Sequence, residues 1–432
     1  MRAFVTHVLS GALVATALCG WSNVSVARPP APALSATATP GLSAERLRRL
    51  SETLQAYVDQ GRIAGAVVKI QQDGRDVYSE AFGWRDREKR AAMREDDIFR
   101  IASQSKALTS VAAMMLMEEG KLLLDDPVGK HLPEWASTNV AVAKPGGGYD
   151  VVPAKRPITI RDLMTHTAGI SYGSGPGEKA WQDAGITGWY FADRNEPVAS
   201  VVARMARLPM AAQPGESFVY GYNTDILGVI VEKVSGQSLA AFLDARLIRP
   251  LGMKDTSFYL PRDKADRLAT VYSANASGLQ RAAEPGAAGE SRPFGQGHYL
   301  NGPRLAFSGG AGLLSTAADY SRFLEMLRRG GELDGRRYLG RKTVELMTAD
   351  HLGDIGFNPG MGFGLGFSIR EDLGRAGAPG SEGEFGWGGA YHSTYWVDPE
   401  ERLTVVYLTQ LLPAGNVDDH GKLRALIYQA VE

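Results

Sequence analysis

The chain has 432 residues, 44% of them hydrophobic and 22% charged, with a formal net charge of −1. Such a chain is long and apolar enough for a large core. Near-neutrality with no long run of one sign excludes the electrostatic footprint of a nucleic-acid binder.

Residues 1–27 read as an export signal: Arg2, an apolar stretch from Val8 to Trp21, and Ser25-Val26-Ala27 as a small-x-small cleavage site. The stretch is short for a bilayer span, so cleavage is expected rather than stable membrane insertion, leaving a periplasmic or secreted protein. Cys19 is the only cysteine, and it follows Leu18 rather than the small residue that precedes a lipidated cysteine. Cleavage therefore leaves a chain without disulfides. Residues 28–42, rich in Pro, Ala, Ser and Thr, read as a linker.

From 43 to 61 the apolar positions Leu47, Leu50, Leu54 and Val58 predict a helix. Asp73-Gly74 then joins two predicted strands as a hairpin. "SKALTSVAAMMLMEEGKLLL" is a long apolar helix closing at Gly120. Residues 136–157 and 171–198 read as loops, 197–206 and 223–249 as helical, and 259–312 as loop-rich. Thr316 and Asp319 have capping-box spacing before a helix that ends at Gly330. Strands return from 362 onward, and a helix over 419–431 closes the chain. Strands at both ends predict an α+β fold: an antiparallel sheet flanked by helices, from about 43–100 and 305–432, with a mainly helical lobe (101–304) inserted.

Two motifs compete for a nucleophile. Gly169-Ile170-Ser171-Tyr172-Gly173 matches G-x-S-x-G, but that elbow needs a strand before it and a helix after. Here "ITIRDLMTHTAG" reads as a helix capped by Thr159 and ended by Gly169, and "YGSGPGEK" cannot start another. Ser171 is therefore expected to be a turn residue. "GFGLGF" (362–367) precedes no helix and reads as close strand packing, not a dinucleotide fingerprint. The seven histidines, at 7, 131, 166, 298, 351, 392 and 420, show no metal-ligand spacing, so no metal or other cofactor is expected.

Ser103-Gln104-Ser105-Lys106 is the other candidate. It opens the most hydrophobic helix, so Ser103 and Lys106 share a face. Among Ala107, Leu108 and Val111 the lysine is poorly solvated, which favours a neutral amine able to take the serine proton. The helix N-terminus favours negative charge at Ser103.

Several segments in order resemble the serine β-lactamase and D,D-peptidase superfamily, specifically class C β-lactamases and family VIII carboxylesterases. They are "RIASQSKALTSVAAMMLMEEGKLLLDDPVGKHLPEW", "ITIRDLMTHTAGI", "PGESFVYGYNTDILGVIVEKVSG", "SGGAGLLSTAADYSRFLEML" and "GWGGAYHSTYWVDP". The resemblance implies Ser103 as nucleophile, Lys106 as its base, and Tyr220 as the tyrosine sharing proton transfer, with Tyr222 a neighbouring candidate at the substrate. Trp387-Gly388-Gly389 stands where β-lactamases carry Lys-Thr-Gly, and Ala390 would complete the oxyanion hole with the Ser103 N–H. Replacing a carboxylate-binding lysine by Trp387 favours a neutral small-molecule ester. The resemblance leaves a β-lactamase or D-amino-acid peptidase, and a non-hydrolytic penicillin-binding sensor, as alternatives.

Overall fold

The computed structural model describes residues 41–275, 278–285 and 295–432, so the expected signal, its Cys19, and the linker up to residue 40 lie outside the described residues. The last linker residues are already part of the fold. Leu42 bridges to Val431, and the Ser43 N–H donates to the Ala430 carbonyl at 2.8 Å.

Helix α1 (Ala44–Asp59) leads into β1 (Gly65–Gln72) and β2 (Arg75–Asp86). Their turn has Asp73 at φ 53° and Gly74 at φ 75°, the paired left-handed conformation whose twist matches that of the strands. After β3 (Ala91–Ala92) the chain leaves the sheet and returns as β4 (Met361–Phe363), β5 (Ser368–Arg370), β6 (Phe385–Gly389), β7 (Ser393–Asp398) and β8 (Leu403–Thr409), followed by α7 (Asp419–Tyr428). The sheet has eight antiparallel strands in the order β4-β5-β6-β7-β8-β1-β2-β3. Strands β8 and β1 are buried on both faces. Ala66, Val68 and Ile70 of β1 pack with Leu47, Leu50 and Leu54 of α1 and Leu423 and Ile427 of α7, while Val67 faces the opposite cluster.

That second face carries the inserted lobe. Helix α2 (Ser105–Glu118) is buried continuously from Ser105 to Leu116, as a helix apolar on all sides must be. It packs on α5 (Asn223–Ser235), which ends at left-handed Gly236. The stretch expected as one helical section over 223–249 is therefore broken there, and restarts at Leu239. Helix α3 (Ile160–Met164) has the full capping box between Thr159 and Asp162. It ends five residues before Gly169, because the chain turns left-handed at His166 (φ 56°). Helix α4 (Val198–Met205) matches its expected span, and α6 (Ala317–Arg328), capped by Thr316, lies across β7, β8 and β1.

One expected loop is a hairpin. Asn139–Ala143 pairs with Tyr149–Pro153, and Pro209–Met210 adds a parallel strand. The glycine-rich turn between the strands masks two short β-branched runs when the whole window is averaged. Among the described residues, no single helix is both long and apolar enough to cross a membrane.

Leu54 is 1% exposed between α1 and the sheet. Leu54→Ala should cost about 2–5 kcal/mol, read as a lower urea midpoint at unchanged slope. Val142→Ala, at a position 46% exposed on the added hairpin, should stay within about 0.5 kcal/mol.

Candidate active site

Ser103 lies in a 3₁₀ turn (Ala102–Gln104) that runs straight into α2. Ala102 before it has φ 41°, a conformation that L-residues hold only when their surroundings enforce it. Lys106, one turn on, is 2% exposed. Its Nζ hydrogen-bonds to Ser103 Oγ at 3.2 Å, to the Tyr172 hydroxyl at 2.9 Å and to the Gly310 carbonyl at 2.8 Å. Three oxygens thus compensate an amine withdrawn from water. Glycine is required at 310, because a Cβ there would sit 2.4 Å from Asp225 Oδ2. Asp225 accepts from Ser308 Oγ and the Gly310 N–H through its other oxygen, and burial raises its carboxyl pKa against the opposing pull of Lys106.

Two tyrosines face this pair, with different hydroxyl partners. Burial, reinforced by the neighbouring Tyr220 and Asp225, pushes the Tyr172 phenol well above its ordinary value despite a hydrogen bond with Ser103. Its hydroxyl is therefore held in the neutral form. Tyr220 puts its ring 4.7 Å from Lys106 Nζ, while its hydroxyl accepts from Trp387 Nε1 at 2.9 Å. Behind it His166, 4.5 Å away between ring centroids, is held neutral by burial, with Lys106 acting in the same direction.

The end of β6, beyond its pairing with β5, closes the site. Gly389 lies so near the nucleophile turn that a Cβ would stand 2.5 Å from the Ile101 carbonyl, which brings Ala390 and Ser103 onto one cavity. That cavity, about 430 Å³, is also lined by Tyr172, Trp189, Tyr220, Trp387, Gly388, His392, Ser393 and His420. Trp387 packs edge-on against Phe363 and beside Tyr220, so the wall there is aromatic. A larger cleft of about 520 Å³ is lined by Lys69, Glu95, Asp255, Arg267 and other polar groups.

The family model for Beta-lactamase matches residues 50–429. The chain belongs to the Beta-lactamase family. It is 35% identical to Protein Rv1367c of Mycobacterium tuberculosis over 385 residues, covering 85% of this chain and 90% of the relative. Esterase EstB of Burkholderia gladioli is 31% identical over 383 residues, covering 85% and 92%. The solved structure of EstCE1, a hydrolase with promiscuous acyltransferase activity, superposes with a TM-score of 0.74 at 31% identity, over 89% of this chain and 99% of that one. These relatives make this β-lactamase-fold chain a serine hydrolase near the family VIII esterases.

Within this family fold two expectations change. Tyr222 is not at the substrate: it is fully buried, donates to the Gly188 carbonyl at 2.6 Å, stacks on Trp181 and props the ring of Tyr172. Tyr172, which belongs to no expected site, lines the cavity beside Tyr220. Its only signal was its place beside Ser171 in the G-x-S-x-G match. Ser171 itself closes a turn, with its Oγ donating to the Ser174 carbonyl and accepting from the Ser174 N–H. Gly169 and Gly173 supply left-handed turn geometry at φ 77° and 86°.

The histidines are rearranged by the fold. His392, Asp419 and His420 bring potential ligand atoms within 4.8 Å, although 27 residues separate the first two. Those atoms are already engaged. His392 Nε2 meets Asp419 Oδ1 at 2.6 Å, Tyr407 donates to Asp419 Oδ2 at 2.5 Å, and His420 Nε2 approaches the His392 carbonyl at 3.3 Å.

Gly389→Ala should push the end of β6 off the Ser103 turn. The rate of Ser103 labelling by a fluorophosphonate should fall on the order of 10²-fold with the far-UV spectrum unchanged, the cost of a displacement near 1 Å.

Proposed function

We propose that this protein hydrolyses carboxylic esters of small neutral molecules through an acyl-enzyme on Ser103. The observation that carries the reading is Lys106 Nζ within hydrogen-bond reach of both Ser103 Oγ and the Tyr172 hydroxyl, on an aromatic-walled cavity. Lys106 takes the Ser103 proton as Oγ bonds to the acyl carbon. The Ser103 and Ala390 N–H groups hold the developing oxyanion. Tyr172 and Tyr220 carry the proton onward to the departing alcohol: Tyr220 accepts from Trp387, which leaves its own hydroxyl hydrogen free to donate. EstB is named an esterase and EstCE1 a hydrolase with acyltransferase activity, which supports ester chemistry over amide chemistry here.

Ser103→Ala should abolish turnover of a p-nitrophenyl ester and labelling by a fluorophosphonate, while Ser171→Ala keeps most activity. Lys106→Ala, Tyr172→Phe and Tyr220→Phe should each lower kcat by roughly 10²–10⁴-fold. Because they act as a unit, the double tyrosine variant should be little worse than the poorer single one. Labelling without turnover would instead mean a penicillin-binding sensor.

Specificity follows from Trp387. The wild type should favour the ester over a chromogenic cephalosporin in kcat/KM, and Trp387→Lys should move that ratio towards the anionic substrate by about 1–2 kcal/mol. A wild type faster on the cephalosporin would make the protein a β-lactamase.

We further propose export directed by residues 1–27. N-terminal sequencing of the protein recovered from the periplasm or medium should then begin near Arg28.

A further inference from the structure

The aromatic wall of the cavity does not stop at Trp387 and Tyr220. Phe363, at the end of β4, is 1% exposed and stands among three other rings. Phe218 lies 5.1 Å from it between centroids, Trp387 5.3 Å and Phe357 5.7 Å, crossing it at 61°, 89° and 78°. Steep crossings are a favoured arrangement of aromatic pairs, so the buried ring holds the other three in place. Those three are all half-buried. They also meet one another: Phe218 and Phe357 are 4.7 Å apart, and Phe357 lies nearly parallel to Trp387, at 6.5 Å and 20°. Phe357 belongs to a loop whose Gly353, Asp354, Gly356, Asn358 and Pro359 are exposed. Large apolar rings grouped half open to water, one of them on a loop beside a reactive cavity, mark a contact surface.

We propose that Phe218, Phe357 and Trp387 form a shelf for the alcohol part of the ester, and that this alcohol carries a flat apolar body, aromatic or fused-ring. The inference rests on the acyl-enzyme reading above and names the substrate class of that site. The direction comes from Tyr220. Its hydroxyl hydrogen goes to the departing alcohol, so the alcohol oxygen lies beside Tyr220. Ring contacts lead outward from there, to Trp387 at 5.4 Å and to Phe218 at 6.5 Å, and from both of these to Phe357. Phe218 and Phe357 thus continue, beyond the cavity, the wall that Trp387 begins inside it. None of the three side chains is charged. A flat apolar group gains contact on them, whereas an ionic one loses water without finding a partner. Phe363, beneath the shelf, is a positioning residue.

The test varies the alcohol and the acyl group separately. Phenyl acetate and 2-naphthyl acetate share an acyl group and have leaving groups of similar acidity, so the ratio of their kcat/KM values reads the fit of the added ring. The wild type should favour the naphthyl ester by roughly 2–10-fold, the worth of an aromatic pair. Phe357→Ala should remove that preference, while the ratio of p-nitrophenyl butyrate to p-nitrophenyl acetate stays where it is. Phe357→Trp should retain the preference. Phe218→Leu should weaken it, and serves if Phe357→Ala does not fold. Binding of 2-naphthol to the Ser103→Ala protein needs no turnover, and adding Phe357→Ala should weaken it by roughly the same 2–10-fold. A naphthyl-to-phenyl ratio unmoved in both Phe357→Ala and Phe218→Leu, or a butyrate-to-acetate ratio that moves in its place, would overturn the proposal. So would equal 2-naphthol binding with and without Phe357→Ala. A wild type that hydrolyses none of these esters would instead overturn the acyl-enzyme reading, and the 2-naphthol measurement would still decide the shelf.

Discussion

A lysine buried inside an apolar helix must find oxygens, and the site is built to supply them. Lys106 lies in a helix whose neighbours Ala107, Leu108 and Val111 are fully buried. Leaving its amine unpartnered would cost several kcal/mol, on the order of 2–7 for a polar group buried without a hydrogen bond. One oxygen is local, Ser103 on the same helix turn, and two are distant: Tyr172 from the loop after α3, and Gly310 from the segment before α6. Satisfying one amine therefore brings together Ser103, the Tyr172 hydroxyl and the backbone that supports them.

The second constraint is close approach of backbone to backbone. The Gly389 segment can press against Ile101 only because it carries no side chain, and Gly310 can lie against Asp225 for the same reason. Ala102, next to Ser103, and His392, a lining residue of the cavity, are both held in left-handed conformations. Strain beside the site accompanies donors that must be fixed before substrate arrives.

The aromatic residues divide by depth. Tyr222 and Trp181 are buried and act as packing, Tyr172 and Tyr220 stand half-buried with hydroxyls towards Lys106 and Trp387, and Trp387 and Trp189 form the wall. A one-dimensional motif cannot sort them. Tyr220 and Tyr222 are two residues apart yet have opposite surroundings, because Tyr222 stands at the end of α5, where its ring turns inward against Trp181.

Local chemistry was legible in the sequence. The Asp73-Gly74 turn, the Thr159 and Thr316 caps, the buried helix after Ser103 and the turn role of Ser171 all follow from interactions within a few residues. The pairing of Ser103 with Lys106 belongs with them, since three residues of helix set that distance. The hairpin over residues 139–153 did not, because its glycine-rich turn dilutes the strand signal. Tyr172 beside Lys106 and His392 beside Asp419 were decided only by tertiary structure. They join residues 66 and 27 positions apart, and no local periodicity records which loop side chains a buried amine or carboxylate will meet when the sheet and helices close around it.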